Sequence, residues 1–240
     1  MRLAIWNATF LLAGLFSSPL AADDAKGEFR DLFNGKDLNG WVVEGTEKDK
    51  AGNPVWSVKD GHILCQGTGG GFLRFDPKEF GDFTVRVEYR FAAPDRTVAK
   101  PKVGNSGIGI RTAKYDPKKA THTRPSYYSY EVQLLDDAGK EPNTHSTGSL
   151  YRYKAPTTNP VKAAPEWNTI EIACVGPKIR ISINGTQVLD ADQTEIPDLE
   201  KGKPKDVAAP KDKPLKGYVS LQNHGSTIEF RKVQIKELGK

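Results

Sequence analysis

Cysteine is scarce in this sequence, helical periodicity is short, and no charge of one sign dominates. Cys65 and Cys174 are the only cysteines in 240 residues. Two isolated thiols build neither a disulfide scaffold nor a cysteine-based zinc site. The four histidines, His62, His122, His145 and His224, are far apart in the chain, and the acidic residues form no dense calcium-type cluster. Neither a catalytic metal nor a cofactor is therefore expected. Basic residues number 35 against 30 acidic, a net charge of +5, and apart from a lysine-rich stretch from Lys201 to Lys216 the signs are interspersed. Nucleic-acid binding would require a clustered basic face with interleaved aromatics, and it is not expected. Beyond the first residues no apolar run is long enough to cross a bilayer. No helical period exceeds about two turns, which argues against a bundle or an α/β fold.

What the chain does have begins at its N-terminus. Arg2 precedes an apolar run from Leu3 to Phe16, and small residues follow, ending at Ala21-Ala22. This pattern reads as a secretory signal peptide over residues 1–22, cleaved near Ala22. The alternative is an uncleaved anchor, for which the run is short and interrupted. The expectation is an exported protein, periplasmic or extracellular, with one domain over 23–240 and no membrane segment after cleavage. Export permits a disulfide. Both cysteines, however, lie in apolar strand-like runs ("HILCQ", "IEIACV") that suit buried free thiols.

From Phe29 onward, short alternating segments are separated by turn signals such as "KDG" at Lys59 and "NG" at Asn184. Strands are expected at 41–43, 56–58, 63–66, 72–74, 83–91, 106–111, 128–135, 149–151, 169–175, 178–183, 187–189, 218–223 and 228–235. Many short strands with tight turns predict an all-β two-sheet sandwich or jelly roll. Three long connections, 92–104, 112–126 and 190–216, interrupt the pattern; connections of this length are often functional or mobile.

Three of these strands share a peculiarity. In "YYSYEVQLLDD" the residues Tyr128, Tyr130, Val132 and Leu134 fall on one face, and Ser129, Glu131 and Gln133 on the other. In "NSGIGIR" Ser106, Ile108 and Ile110 oppose Asn105, Gly107, Gly109 and Arg111. In "YVSLQNHG" Gln222 and His224 share a face opposite Leu221. Any half-exposed strand alternates in this way, but a merely solvated face carries mostly Thr, Lys, Glu and Ser. Here the set is Asn105, Arg111, Glu131, Gln133, Gln222 and His224, with gaps at glycines, which mark close approach of a ligand or another backbone. Such hydrogen-bonding groups suit sugar hydroxyls. Tyr127, Tyr128 and Tyr151 are candidate stacking platforms, although Tyr128 has core parity. Asp136, five positions after Glu131, has core parity as well. Either a bulge swings it to the Glu131 side, or the strand has ended and Asp136 opens a turn.

The runs "FRDLFNGKDLNGW", "WSVKDGHILCQGTGGGFLRF", "FGDFTVRVEYRF", "NSGIGIR", "YEVQLLDD", "TGSLY", "EWNTIEI", "INGTQVLD", "GYVSLQNHG" and "IEFRKVQIKEL" together resemble the 3-keto-disaccharide hydrolase domain family over nearly all of Phe29 to Leu238. The resemblance implies a concanavalin A-like jelly roll, in agreement with the strand reading, and a carbohydrate substrate, a glycoside oxidised at C3. A ketone at C3 acidifies the C2 proton, so a base can start a β-elimination of the C1 substituent, and water can add later. Chemical reasoning then gives Glu131 as base, Arg111 and Asn105 as holders of the keto oxygen or enolate, and His224 as acid or second base, with Asp136 a further candidate and Gln133 and Gln222 binding sugar. The spacing E-V-Q-L-L-D also resembles the E-x-D-x-x-E strand of retaining glucanases, but with Gln133 in the middle and the shorter Asp136 at the end, which argues against the two-carboxylate mechanism. A non-catalytic carbohydrate-binding module and a conventional glycosidase are the alternatives.

Overall fold

The computed structural model describes residues 27–94, 97, 103–114, 129–199 and 207–239. Among them are thirteen strands, one short 3-10 turn at Pro210–Asp212 and no α-helix. The strands are β1 Arg30–Asp31, β2 Trp41–Gly45, β3 Trp56–Lys59, β4 His62–Gln66, β5 Gly71–Phe75, β6 Phe83–Phe91, β7 Asn105–Thr112, β8 Tyr130–Leu135, β9 Asn168–Val175, β10 Lys178–Ile183, β11 Thr186–Asp192, β12 Tyr218–Asn223 and β13 Thr227–Glu237. They form two antiparallel sheets. The larger runs β11-β10-β9-β6-β13-β4-β3, with β1 also on β13, and the smaller runs β2-β5-β12-β7-β8. Neighbours in space are mostly distant in sequence, as in a jelly roll.

Side-chain alternation explains the layering. In β6, Phe83, Val85, Val87, Tyr89 and Phe91 point inward, while Thr84, Arg86, Glu88 and Arg90 point out. Ile170, Ile172 and Cys174 of β9 and Val233 and Ile235 of β13 extend this layer, and Leu73, Ile108, Val132, Leu134, Val219 and Leu221 face it from the smaller sheet. Each such aliphatic or aromatic side chain contributes about 1.5–3 kcal/mol when fully buried. The turn signals act as expected. Asp60-Gly61 and Asn184-Gly185 both have positive φ, which lets β3–β4 and β10–β11 close as two-residue hairpins.

The segment expected to be a strand at 149–151 is not a ladder. Leu150 makes isolated bridges to Val132 and Lys154. Gly148 N donates to Gln133 O, Gln133 N to Ser149 O and Tyr151 N to Glu131 O. The segment thereby covers the edge of β8 that would otherwise be open to pairing.

Cys65 and Cys174 are free and buried. β13 and β6 lie between their strands, a separation of about 14 Å at ordinary strand spacing, whereas a disulfide needs Cα atoms within about 7 Å. Burial pushes the Cys65 thiol up to about 11 and the Cys174 thiol up to about 12. Neither thiol should therefore react with an aromatic disulfide reagent in the native protein at pH 8, and two should react after denaturation. Unfolded thiols ionise near 9.0. Between there and the folded values the unfolded chain binds fewer protons, so these groups lower stability as pH rises through that window and have no effect below it. Fast labelling of native protein at pH 8 would refute this.

Candidate functional site

The smaller sheet carries a second face, turned away from the core, and its register decides what meets there. Gly107 pairs with Gln133 and Gly109 with Glu131. Ser220 pairs with Gly109 and with Arg74, and Gln222 with Phe72. Glu44 pairs with Phe72 on the far side. Side chains of paired residues project to the same face, so Glu44, Phe72, Gln222 and Gln133 stand in one row across five strands, with the gap of Gly107 between the last two. Glu131 stands in the next row, beside the gap of Gly109.

These rows floor a cleft of about 500 Å³ lined by Asn105, Glu131, Gln133, Tyr151, Gln222 and His224, together with Glu44, Gly45, Gly69 to Gly71, Phe72 and Asn223. Six of the residues expected from the sequence therefore converge: Asn105, Glu131, Gln133, Tyr151, Gln222 and His224. Glu131, Gln133 and Gln222 are 4%, 2% and 5% exposed, so this is not a solvated sheet face. The glycine gap has a definite use. A Cβ on Gly107 would sit 3.0 Å from Glu131 Oε1 and 3.3 Å from Gln222 Oε1. The missing side chain is what lets these two oxygens approach the same point.

Other contacts hold the floor in place. Gln133 Nε2 donates to Asn105 Oδ1 at 2.9 Å, and Asn105 N donates to Ser226 Oγ. Asn223 Nδ2 donates to Thr68 O at 2.6 Å, and Asn223 Oδ1 accepts from Gly225 N, which pins the glycine-rich wall to the end of β12. Glu44 accepts from Arg74 Nε at 2.6 Å, and Arg74 also binds Asp76. His145 packs edge-on against Tyr151 with centroids 5.0 Å apart. Gln222 Oε1 is buried and has no hydrogen-bond partner. An unmet buried acceptor costs about 1–3 kcal/mol, and a donor on a bound molecule would relieve it.

Two expected site residues lie elsewhere. Arg111 does not face the cleft. Gly109 pairs with Ser220 and Thr112 with Tyr218, so Ile110 and Arg111 together oppose one residue of β12. This bulge, with Arg111 at φ 55, reverses the parity read from the sequence and turns Arg111 between the sheets. Its Nη1 donates to Gly176 O at 2.8 Å, its Nε and Nη2 donate to Gly81 O, and Asp82 lies 3.6 Å away. Asp136 falls after the end of β8, where its Oδ1 accepts from Ala164 N at 3.0 Å. It opens a turn and does not pair with Glu131. Tyr127, Tyr128 and His122 lie outside the described residues. Glu44, Phe72 and the Gly69–Gly71 wall went unread in the sequence, and Asn223, which has the parity of Leu221 there, lines the cleft from the end of β12. The signal for Phe72 was its parity opposite Leu73, directly after three glycines.

Two antiparallel sheets in jelly-roll order, with a polar cleft on the smaller sheet, put the molecule in the concanavalin A-like class. Within it, the chain belongs to the 3-keto-alpha-glucoside-1,2-lyase-like domain family, whose model matches residues 28–236. The chain is 27% identical to a 3-keto-disaccharide hydrolase of Bacteroides thetaiotaomicron, with 90% of this chain and 80% of that protein covered. A crystal structure of a candidate glycosyl hydrolase from Parabacteroides distasonis superposes with a TM-score of 0.65 at 25% identity, over 88% of this chain and 94% of that one. A non-specific endo-β-1,3(4)-glucanase shares the fold at 12% identity, with a TM-score of 0.52 over 90% and 92% of the two chains. The domain is thus of a carbohydrate-acting, hydrolase-like kind.

Proposed function

We propose that this protein cleaves the glycosidic bond of sugars carrying a ketone at C3, by elimination followed by hydration. Glu131 takes the C2 proton, and the C2–H electron pair forms an enolate with the C3 oxygen. The enolate collapses, the C1–O bond breaks, and the leaving group takes a proton from His224. The resulting C1=C2 double bond, conjugated to the C3 ketone, then adds water at C1. The sum is hydrolysis. Asn105 is the remaining side-chain candidate to meet the enolate oxygen, since Arg111 is engaged between the sheets. Gln222 and Gln133 hold hydroxyls.

The observation that carries this reading is the approach of Glu131 and Gln222 over Gly107 on a floor shielded from water. A carboxylate there works as a base in a low-dielectric setting, where proton transfer is worth most. The other cleft carboxylate, Glu44, is bound by Arg74 and stands four strand steps from Glu131, about 19 Å, and Asp136 is directed elsewhere. The pair that a two-carboxylate glycosidase sets a few ångströms apart is therefore missing among the described residues, which suits elimination better. The family description and the name of the relative support the same substrate class.

The test is incubation with a disaccharide oxidised at C3, beside its unoxidised parent. Free 3-keto hexose and the leaving sugar are expected from the first only, with deuterium entering C2 in heavy water. Equal hydrolysis of the parent would mean a conventional glycosidase. Sugar affinity without turnover would mean a binding module.

A further inference from the structure

The cleft extends well beyond the reacting centre. Glu131 and Gln133 lie on β8, and Phe72 lies on β5, with β7 and β12 between them. Three strand steps amount to about 14 Å, more than one pyranose ring spans. Phe72 is half-buried, lines the cleft and belongs to neither the core nor the residues packed on it. Among the described residues no other ring stacks on it. A large apolar ring on an otherwise polar floor is uncompensated by the fold itself. Its cross-strand neighbours are Glu44 on one side and Gln222 on the other, so the ring is flanked by hydrogen-bonding groups. Gly70 forms the adjacent wall, and a Cβ there would meet nothing closer than Asn223 O at 3.8 Å, so the wall is open at that point.

We infer that Phe72, flanked by Glu44 and Gln222 and walled by Gly70, is a second sugar subsite, which holds the leaving group. This rests on the function proposed above. If the keto sugar places C2 at Glu131, its C1 substituent has only the rest of the cleft to occupy. The C–H face of a pyranose is apolar and covers an aromatic ring, while its rim hydroxyls reach acceptors beside that ring. Glu44, held by Arg74 at 2.6 Å, supplies a fixed acceptor at the rim. His224 and Gln222 belong to β12 and its end, between the two halves, where the bond to the leaving group would lie. The substrate class is accordingly a disaccharide or longer glycoside, selected through its leaving sugar as well as its keto sugar.

The experiment compares maltose oxidised at C3 of its non-reducing ring with methyl α-glucoside oxidised at C3. In wild-type protein kcat/KM should favour the maltose derivative. Phe72→Ala should lower that preference about tenfold, mainly through KM for the disaccharide, and Phe72→Tyr should restore it. A preference unchanged in Phe72→Ala, or absent in the wild type, overturns the subsite while leaving the catalytic reading intact. If neither compound turns over, the catalytic reading fails, and saturation-transfer NMR with unoxidised maltose decides the subsite. Saturation of both rings that is lost from one ring in Phe72→Ala supports it, and an unaltered pattern in the variant refutes it.

Discussion

Glu131→Gln is expected to lose about 10² to 10⁴ in turnover of a 3-keto glycoside, the range typical of removing a general base. The substitution keeps shape and hydrogen-bonding capacity and removes only the ability to accept the C2 proton. Glu131 is 4% exposed and faces the gap of Gly107 alongside Gln222, so its position is set by neighbours that the substitution leaves in place. Unfolding by urea should consequently shift little, and the loss should appear in kcat. Exchange of the C2 proton with deuterium should fall in step with turnover. His224→Gln is the companion measurement. His224 is exposed at the end of β12, and if it protonates the leaving group, its variant should retain C2 exchange while product release drops. A Glu131→Gln protein that turns over at near the wild-type rate would remove Glu131 from the mechanism.

Which parts of this site could be read in advance follows from how local the information was. Strict alternation in β6 and β9 survives in the structure because both strands are long, regular and paired on both sides. The polar parity of Glu131, Gln133 and Gln222 was likewise a two-residue period within one strand. Parity fails where the period itself breaks. The bulge before Thr112 depends on how β7 pairs with β12, a strand more than a hundred residues later, and nothing within "NSGIGIR" announces it. The same holds for the second half of the cleft. Phe72 and Glu44 come beside Gln222 only through the order β2-β5-β12, so their shared role belongs to the topology. The meaning of Gly107 was half legible. Glycine signalled close approach, but what approaches is the pair Glu131 and Gln222, where a ligand or a neighbouring backbone was expected.

Arg111 separates the two kinds of reading most sharply, because a site arginine and a structural arginine fail differently. Its side chain is fully buried and donates to Gly81 O and Gly176 O, with Asp82 at 3.6 Å. Arg111→Ala should leave both half-buried carbonyls without this donor, at up to about 1–3 kcal/mol each, and should leave a cavity between the sheets. Asp82 keeps 26% side-chain exposure, so water can serve its carboxylate and the ion pair adds little. The expected loss is about 3 kcal/mol or more of unfolding free energy, read from a lower urea midpoint at unchanged slope. Arg111 also sits at φ 55, a conformation that costs a non-glycine residue about 1–2 kcal/mol. Arg111→Gly should therefore unfold at higher urea than Arg111→Ala, despite losing the same contacts. Well below either midpoint, the folded variants should keep most of their kcat on a 3-keto glycoside. If Arg111→Ala instead kept its midpoint and lost turnover a hundredfold, the guanidinium would belong to the enolate site after all, and the bulge would have to open when substrate binds.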